Sequence, residues 1–376
     1  MTSDDLPEGG QGRRRRRGSP AWRPRAVWTP MLLAALLCVL ALTTPRDFAV
    51  SRLLPAAPAL ASSMWSVGAT LALGAFALLV VVIVEIVYDP RSTEFTLAAI
   101  VAVTGAAAYA SHVRRQRERT LSQVRSVAMA AQAVVLRPIP HRVGGLEIET
   151  LYLAAAEEAR VGGDFFEALD TPHGVRLLIG DVRGKGLPAV GTAGAITNAF
   201  REAAFEEPDL VAVARRLDTV MTRYSQAYAE PTEGAERFAT AVFAQIPPGG
   251  GRAELLNCGH PPPLLLHGGR VRVLDPSAAS PPITMAALIG DVYTVDTVPV
   301  APGDLLLLYT DGVSETRDRN GDFFPLDAWA TGRGALPPRA LLDALHQQLV
   351  RFSGGVLDDD IAALVVRTGG SPRSAG

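Results

Sequence analysis

Long apolar runs crowd the first third of the chain, and a mixed apolar and polar pattern follows. Val27 to Thr44 is nearly uncharged, and Val67 to Val87 carries Glu85 as its one ionisable residue; each reaches the ~20 residues that a bilayer-crossing helix needs. Phe95 to Val113, rich in Ala and Gly, is a weaker third span, with a buried soluble helix as its alternative. It runs straight into Arg114, Arg115, Arg117 and Arg119. Residues 48 to 65 join Leu53, Leu54, Leu60 and Trp65 to Arg52, Pro55 and Pro58, which reads as a fourth, poor span or a re-entrant piece. The membrane region is thus 27–113, with three or four spans.

Residues 1–26 hold Gly, Pro and the run Arg13 to Arg17, and they predict a disordered basic tail. A cleaved signal peptide is the competing reading. It is disfavoured because no small-x-small cleavage pattern follows and further apolar segments come after. Three spans would put the two arginine clusters on opposite sides of the membrane, against the positive-inside bias. We give the arginines more weight than the span count. The tail and everything after residue 113 are expected in the cytoplasm, making a multi-pass protein of the cell membrane.

From Arg114 to Arg137, Leu121, Val124, Ala128, Ala131 and Val135 recur at steps of three and four, the seam of a helix. Two readings stand level: an amphipathic helix packed on its own domain, or a homodimeric coiled coil through 114–137. Pro138 and Pro140 end this linker, 114–140. Residues 141–368 then predict one α/β domain, with 369–376 as a tail. Leu146–Leu153, Val175–Val182, Ala239–Ile246, Ala253–Cys258, Asp304–Thr310 and Ile361–Val366 read as strands; Pro188–Glu206, Asp209–Tyr228 and Pro338–Phe352 read as helices. Two consecutive helices and runs of strands break the βαβ alternation of a doubly wound sheet, so a mostly antiparallel sheet system covered by helices is expected.

Composition agrees with a lipid-embedded part: 48% of the 376 residues are hydrophobic and the mean hydropathy is +0.19. Cys38 and Cys258 lie too far apart in sequence, and the first in too apolar a run, for a disulfide framework or a cysteine zinc site. Thirty-six Lys and Arg against 38 Asp and Glu give a net charge of -2, which removes the electrostatic case for nucleic-acid binding.

Four acidic sites fall at the ends of apolar strands or in the turns after them: Gly162-Gly163-Asp164, Gly180-Asp181-Val182-Arg183-Gly184-Lys185-Gly186, Tyr309-Thr310-Asp311-Gly312 and Asp358-Asp359-Asp360-Ile361. Any one aspartate alone reads as a turn or cap residue. Together they read differently, because carboxylates gathered at one sheet end repel unless cations neutralise them. Oxygen-only ligands suit Mg²⁺ or Mn²⁺. A phosphate-cradling P-loop around Gly184-Lys185 fails, since Ile179 and Gly186 stand where Gly and Ser or Thr are required. No Gly-x-Ser-x-Gly elbow supports a serine triad. His260, in Asn257-Cys258-Gly259-His260-Pro261, lacks partner ligands and reads as loop-shaping ahead of catalytic.

In this order the blocks Ala159 to Phe166, Gly180 to Leu187, Leu256 to Pro262, Leu308 to Glu315 and Asp359-Asp360-Ile361 resemble the bacterial metal-dependent PPM-type serine/threonine protein phosphatases of the sporulation stage II protein E class. The resemblance covers roughly 118–368. It implies an α+β fold, a four-layer α-β-β-α sandwich of two mostly antiparallel sheets with a two-metal centre (Mn²⁺ or Mg²⁺) at one edge. By position, it implies that Asp181 bridges both metals and that the Val182 carbonyl binds one of them. Asp311 and Asp359 bind the other, with Asp360 as second choice in a run uncertain by one register. Asp164 is a ligand or holds metal-bound water. The implied chemistry is in-line attack of metal-activated water on phosphoserine or phosphothreonine, with no phosphoenzyme.

Arg183 stands where eukaryotic relatives carry a histidine thought to protonate the leaving oxygen. The phosphate-binding arginine of those relatives has no clear match, although Arg160 is near and Arg183 can serve. A guanidinium clamps phosphate but is no general acid at neutral pH, so metal-bound water is the expected proton source. The implied substrate is a phosphorylated regulatory protein, in this class often an anti-sigma-factor antagonist. A catalytically inactive phosphatase-fold module that docks a partner, and a hydrolase of small phosphoesters, are the rival readings.

Overall fold

The computed structural model describes residues 28–43, 53–88, 93–154, 162–228 and 238–369. The basic tail, Arg160 and residues 370–376 lie outside these. Two compact units divide the chain, 1–120 and 121–376.

The first unit holds α1 (Thr29–Thr43), α2 (Ala56–Ala61), α3 (Val67–Tyr88) and the apolar part of α4 (Thr93–Val135). Two helices are long and apolar enough to cross a membrane, with windows at Val67–Val84 and within Leu97–Gln132; α1 is apolar but has 15 residues, and α2 has six. The third expected span and the linker are one unbroken helix, since no proline interrupts 93–135. Side-chain packing orders the bundle. Ala34, Ala57, Ala61 and Leu73 share one cluster, and Leu37, Leu54, Ala77, Val81 and Ile100 share the next. So α1 and α3 ascend together, while α2 and α4 descend. Close approaches fix the α3–α4 pair: a Cβ on Gly74 would fall 2.1 Å from Thr104, and Thr70 and Ser111 hydroxyls meet at 3.3 Å. The Arg114 guanidinium then donates to the carbonyls of Ser62 (3.2 Å) and Trp65 (2.9 Å) just after α2. The returning α2 leg brings the entry of α1 and Arg114 to the same end.

The second unit is a sandwich of two antiparallel sheets. Its strands are β1 (Arg142–Val143), β2 (Leu146–Leu153), β3 (Phe165–Thr171), β4 (Gly174–Val182), β5 (Ala239–Ile246), β6 (Arg252–Cys258), β7 (Leu264–His267), β8 (Arg270–Val273), β9 (Val295–Pro299), β10 (Leu305–Tyr309) and β11 (Ile361–Arg367). One sheet runs β1-β2-β11-β10-β7-β8, the other β3-β4-β5-β6-β9. The helices are α5 (Leu187–Glu206), α6 (Leu210–Tyr228), α7 (Ala286–Ile289), α8 (Asp311–Ser314), α9 (Leu326–Ala330) and α10 (Pro338–Phe352).

Strand alternation builds the layers. In β10, Leu306 and Leu308 face the other sheet with Leu364, Val366, Leu177, Ile179 and Val242. Leu305, Leu307 and Tyr309 face outward against Leu341, Leu342, Leu345 and Leu349 of α10. Leu178, Phe243 and Leu256 of the second sheet likewise meet Ile196 and Phe200 of α5 and Leu217 and Met221 of α6. Burial on both faces explains why β10 reads as a continuous apolar run. The expected α-β-β-α layering is present.

Strands β1, β3, β7, β8 and β9 were not legible as strands. β3 contains Glu167, a residue poor in strand propensity, which is buried here because Arg201 of α5 meets its carboxylate at 2.6 Å. Within the linker seam the residues separate. Leu121 and Val124 are exposed, whereas Ala131 and Val135 pack against Val190 of α5.

Candidate metal centre

The antiparallel register carries four chain segments to one edge of the sandwich. Phe165 opens β3 opposite Gly180, two residues before the end of β4. Tyr309 closes β10 opposite Ala363, two residues into β11. The aspartates at or just outside these strand ends therefore converge: Asp181 is the penultimate residue of β4, and Asp164, Asp311 and Asp359 flank β3, β10 and β11. Asp164, Asp181, Asp311 and Asp359 line one cavity of about 280 Å³ together with Gly162, Gly163, Arg183, Gly184, Lys185, Phe238 and Thr240.

Glycines permit the approach. A Cβ on Gly163 would come within 2.5 Å of the Val182 carbonyl oxygen, and one on Gly180 within 2.3 Å of the Thr240 carbonyl oxygen. At Gly312 it would stand 1.9 Å from the carbonyl oxygen of Asp360, so the turn holding Asp311 touches the segment holding Asp359 main chain to main chain. Gly184 and Gly186 take φ of +114° and +87°, the left-handed side that glycine favours, and turn the chain from β4 into α5.

Electrostatics mark the cavity as strained by like charge. Burial pushes Asp164 well above the usual carboxylate range, and Asp181 adds to the effect. Burial, then the neighbouring Asp311, pushes Asp181 up to about 7. Asp311 is raised by burial, then by Asp359. The Thr310 hydroxyl donates to Asp164 Oδ2 at 2.9 Å and accepts from the Ala362 N–H at 2.9 Å, which fixes the direction of that carboxylate.

Asp359 and Asp360 are separated by their surroundings. Asp359 lines the cavity and pairs with Lys185 at 2.8 Å. The Asp360 carboxylate is 2% exposed and is held away from the cavity lining: the Tyr152 hydroxyl (2.6 Å) and the Gly162 N–H (2.7 Å) both donate to its Oδ2. Tyr152 in turn accepts a hydrogen bond from Gln132 near the end of α4. Arg183 lies on the rim, its guanidinium 5.2 Å from the Phe238 ring centre. The Val182 carbonyl lies beneath Gly163, one residue from the lining aspartate.

His260 is buried, and burial lowers its pKa to about 3, so it is neutral. Asn257 donates to the His260 carbonyl and accepts from its N–H, both at 2.8 Å, which closes the turn. Its ring Nδ1 is 2.9 Å from the Thr240 hydroxyl. It shapes the wall behind the cavity and does not line it.

The donor set is hard oxygen with a rim of two cationic side chains, which fits divalent Mg²⁺ or Mn²⁺ and a phosphoryl group. Among the described residues no three acidic, His or Cys side chains are already drawn to one point. Like charge opposes the closer approach of these carboxylates, and bound cations would relieve it. Sequence reasoning missed Thr310, Thr240, Tyr152 and Phe238 as parts of the site. Thr310 directly precedes Asp311, the one local signal among them.

The family model for stage II sporulation protein E (SpoIIE) matches residues 171–369. Protein IcfG of Synechocystis sp. is 27% identical over 138 residues, 34% of this chain and 20% of that protein. The RsbU and RsbW domains of Rv1364c from Mycobacterium tuberculosis are 26% identical with a TM-score of 0.50, covering 61% of this chain and 62% of that one. This chain therefore spans less than two thirds of either relative. The SiaA-PP2C domain of Pseudomonas aeruginosa has a TM-score of 0.55 at 20% identity, over 67% of this chain and 98% of that one, a likeness of fold.

Proposed function

Because the chain belongs to the stage II sporulation protein E family of PPM-type phosphatase domains, we propose that it is a membrane-anchored, metal-dependent protein serine/threonine phosphatase. The observation that carries this reading is the meeting of Asp164, Asp181, Asp311 and Asp359 in one cavity rimmed by Arg183 and Lys185. Asp164, Asp181, Asp311 and Asp359, with the Val182 carbonyl, would hold two Mn²⁺ or Mg²⁺ ions. When bound, such ions supply acidity to water and charge to offset the phosphoryl oxygens.

The chain's own residues do the rest. Thr310 keeps Asp164 aimed, Asp360 fixes Gly162 ahead of it, and Arg183 binds a phosphoryl oxygen with its guanidinium. Neither Arg183 nor the neutral His260 is equipped to donate the leaving-group proton, which therefore comes from solvent. Among the described residues no serine or cysteine lines the cavity, in keeping with direct hydrolysis. The substrate is a phosphorylated regulatory protein, with an anti-sigma-factor antagonist as the class to try first.

The helix bundle supports the anchor. An ascending α1, a returning α2 leg, an ascending α3 and a descending α4 bring Arg114 to the end at which α1 enters, which supports placing residue 114 onward on the cytoplasmic side. Exposed Leu121 and Val124 leave part of the linker seam open for pairing with a second copy.

Hydrolysis of a phosphoserine protein with Mn²⁺, measured for the wild type and Asp181→Ala, tests the assignment. Phosphate release lost in the variant supports it. Equal low release in both returns the protein to a partner-docking module, and release from a small ester alone makes it a phosphoesterase.

A further inference from the structure

Lys185 is the side chain of the cavity that the four aspartates and Arg183 leave without a role. Its Nζ lies 2.8 Å from Oδ1 of Asp359, and its charge also lowers the pKa of Asp181 and Asp311. It thus stands among the carboxylates as a monovalent counter-charge. The pair is half exposed, 38% for the lysine and 50% for the aspartate, where an ion pair contributes little and exchanges easily. Glycines flank it on both sides, and nothing lies within 4 Å of a Cβ placed at Gly184, so there is open space beside the lysine. Arg183 differs, because its guanidinium lies over Phe238.

We propose that Lys185 is a phosphoryl-anchoring residue of this site, parked on Asp359 and released to the substrate once that carboxylate is engaged by a divalent cation. The proposal rests on the phosphatase reading above. Asp359 has one charge to offer, so cation uptake there expels the ammonium by like-charge repulsion. A compact ammonium on a flexible stem is suited to such an exchange, as a planar guanidinium held in a stacked position is not. Freed, Lys185 shares the cavity mouth with Arg183, two positions away on the same loop, and a phosphoryl group entering there meets two cationic donors. Substrate affinity thereby becomes conditional on metal loading. An ordinary surface ion pair, the plain alternative, would alter neither metal nor phosphate binding.

The test uses the full chain in detergent micelles, as wild type, Lys185→Met and Lys185→Arg. Titration calorimetry with Mn²⁺ alone reads the competition for Asp359. Inhibition by inorganic phosphate, with the KM for a phosphoserine peptide, reads the anchor. In Lys185→Met, Mn²⁺ binds roughly threefold or more tighter, while phosphate inhibition and KM weaken roughly tenfold. Lys185→Arg restores most of the phosphate affinity. Unchanged or weaker Mn²⁺ binding in Lys185→Met, or retained phosphate affinity, overturns the lysine's role alone. A wild type that takes up no Mn²⁺ and releases no phosphate overturns the phosphatase reading and this proposal with it.

Discussion

The Tyr152 hydroxyl donates to Oδ2 of Asp360 at 2.6 Å, and the Gly162 N–H reaches the same oxygen at 2.7 Å. A buried carboxylate with two donors from separate segments is a fastening. It joins β2 to the entrance of β11 and to the segment that carries Asp164. Two adjacent aspartates thereby divide their work: Asp359 faces the cavity and Asp360 builds its wall.

Asp360→Asn and Tyr152→Phe should each lower the thermal midpoint of the metal-free chain, through a loss of about 1–3 kcal/mol. Asp359→Asn should leave that midpoint unchanged or raised and weaken Mn²⁺ binding instead. Scanning calorimetry and Mn²⁺ titration on the three variants check the division. Loss of Mn²⁺ in Asp360→Asn at unaltered stability would transfer the ligand role to Asp360.

Neutralising one member of the carboxylate cluster should stabilise the empty protein. Asp181→Asn is expected to raise the midpoint measured in EDTA, because it removes charge that burial and Asp311 make unfavourable. The same change should lower phosphatase activity by more than about 100-fold, beyond what loss of a merely supporting residue does.

The pH dependence follows from Asp181, raised from an ordinary 3.8 to about 7, with Asp164 and Asp311 raised in the same sense. Between these limits the folded, metal-free chain binds more protons than the unfolded one. Its stability should therefore fall as pH rises from about 4 to 7. Mn²⁺ uptake expels those protons, so affinity should climb over the same window and level off above it. Melting curves at pH 5 to 8 in EDTA, paired with Mn²⁺ titrations, show both slopes or refute them.

Arg176 is fully buried on β4 and donates to the carbonyls of Ala204, Glu207 and Pro208 and to Gln245 Oε1. Arg176→Met leaves three carbonyls at the α5–α6 turn without this donor and should destabilise by about 3 kcal/mol or more. Urea unfolding measures it, and a change below 1 kcal/mol, with that turn unaltered in hydrogen exchange, would contradict the assignment.

Bundle topology is checked with single cysteines at Ser63 and Gln116, in a Cys38→Ala, Cys258→Ala background. Both should label from the cytoplasmic face with an impermeant reagent. Labelling from opposite faces would mean an odd number of passes between them.

What the sequence made legible was local or periodic. Leu305–Tyr309 announces a strand because five apolar residues run up to an Asp-Gly turn, and the aspartates announce a cation site because each stands at or beside the end of an apolar stretch. What it hid depends on distant partners. β3 is concealed by Glu167, tolerable in the core only because Arg201 lies 34 positions on. Two like residues stand side by side at 359 and 360, and distant partners, Tyr152 208 positions earlier and Gly162 198 positions earlier, tell them apart. Chain-local patterns also split α4 at its change of composition, since an apolar stretch and an arginine-rich one look like two elements although the backbone makes one.

The bare contact of Gly312 with the Asp360 carbonyl has a mechanical consequence. With no side chain between them, the jaws bearing Asp311 and Asp359 have no rotamer through which to widen. Their gap works as a calliper set by backbone geometry, so a methyl group at position 312 would spread it and mis-space the pair without touching a single carboxylate.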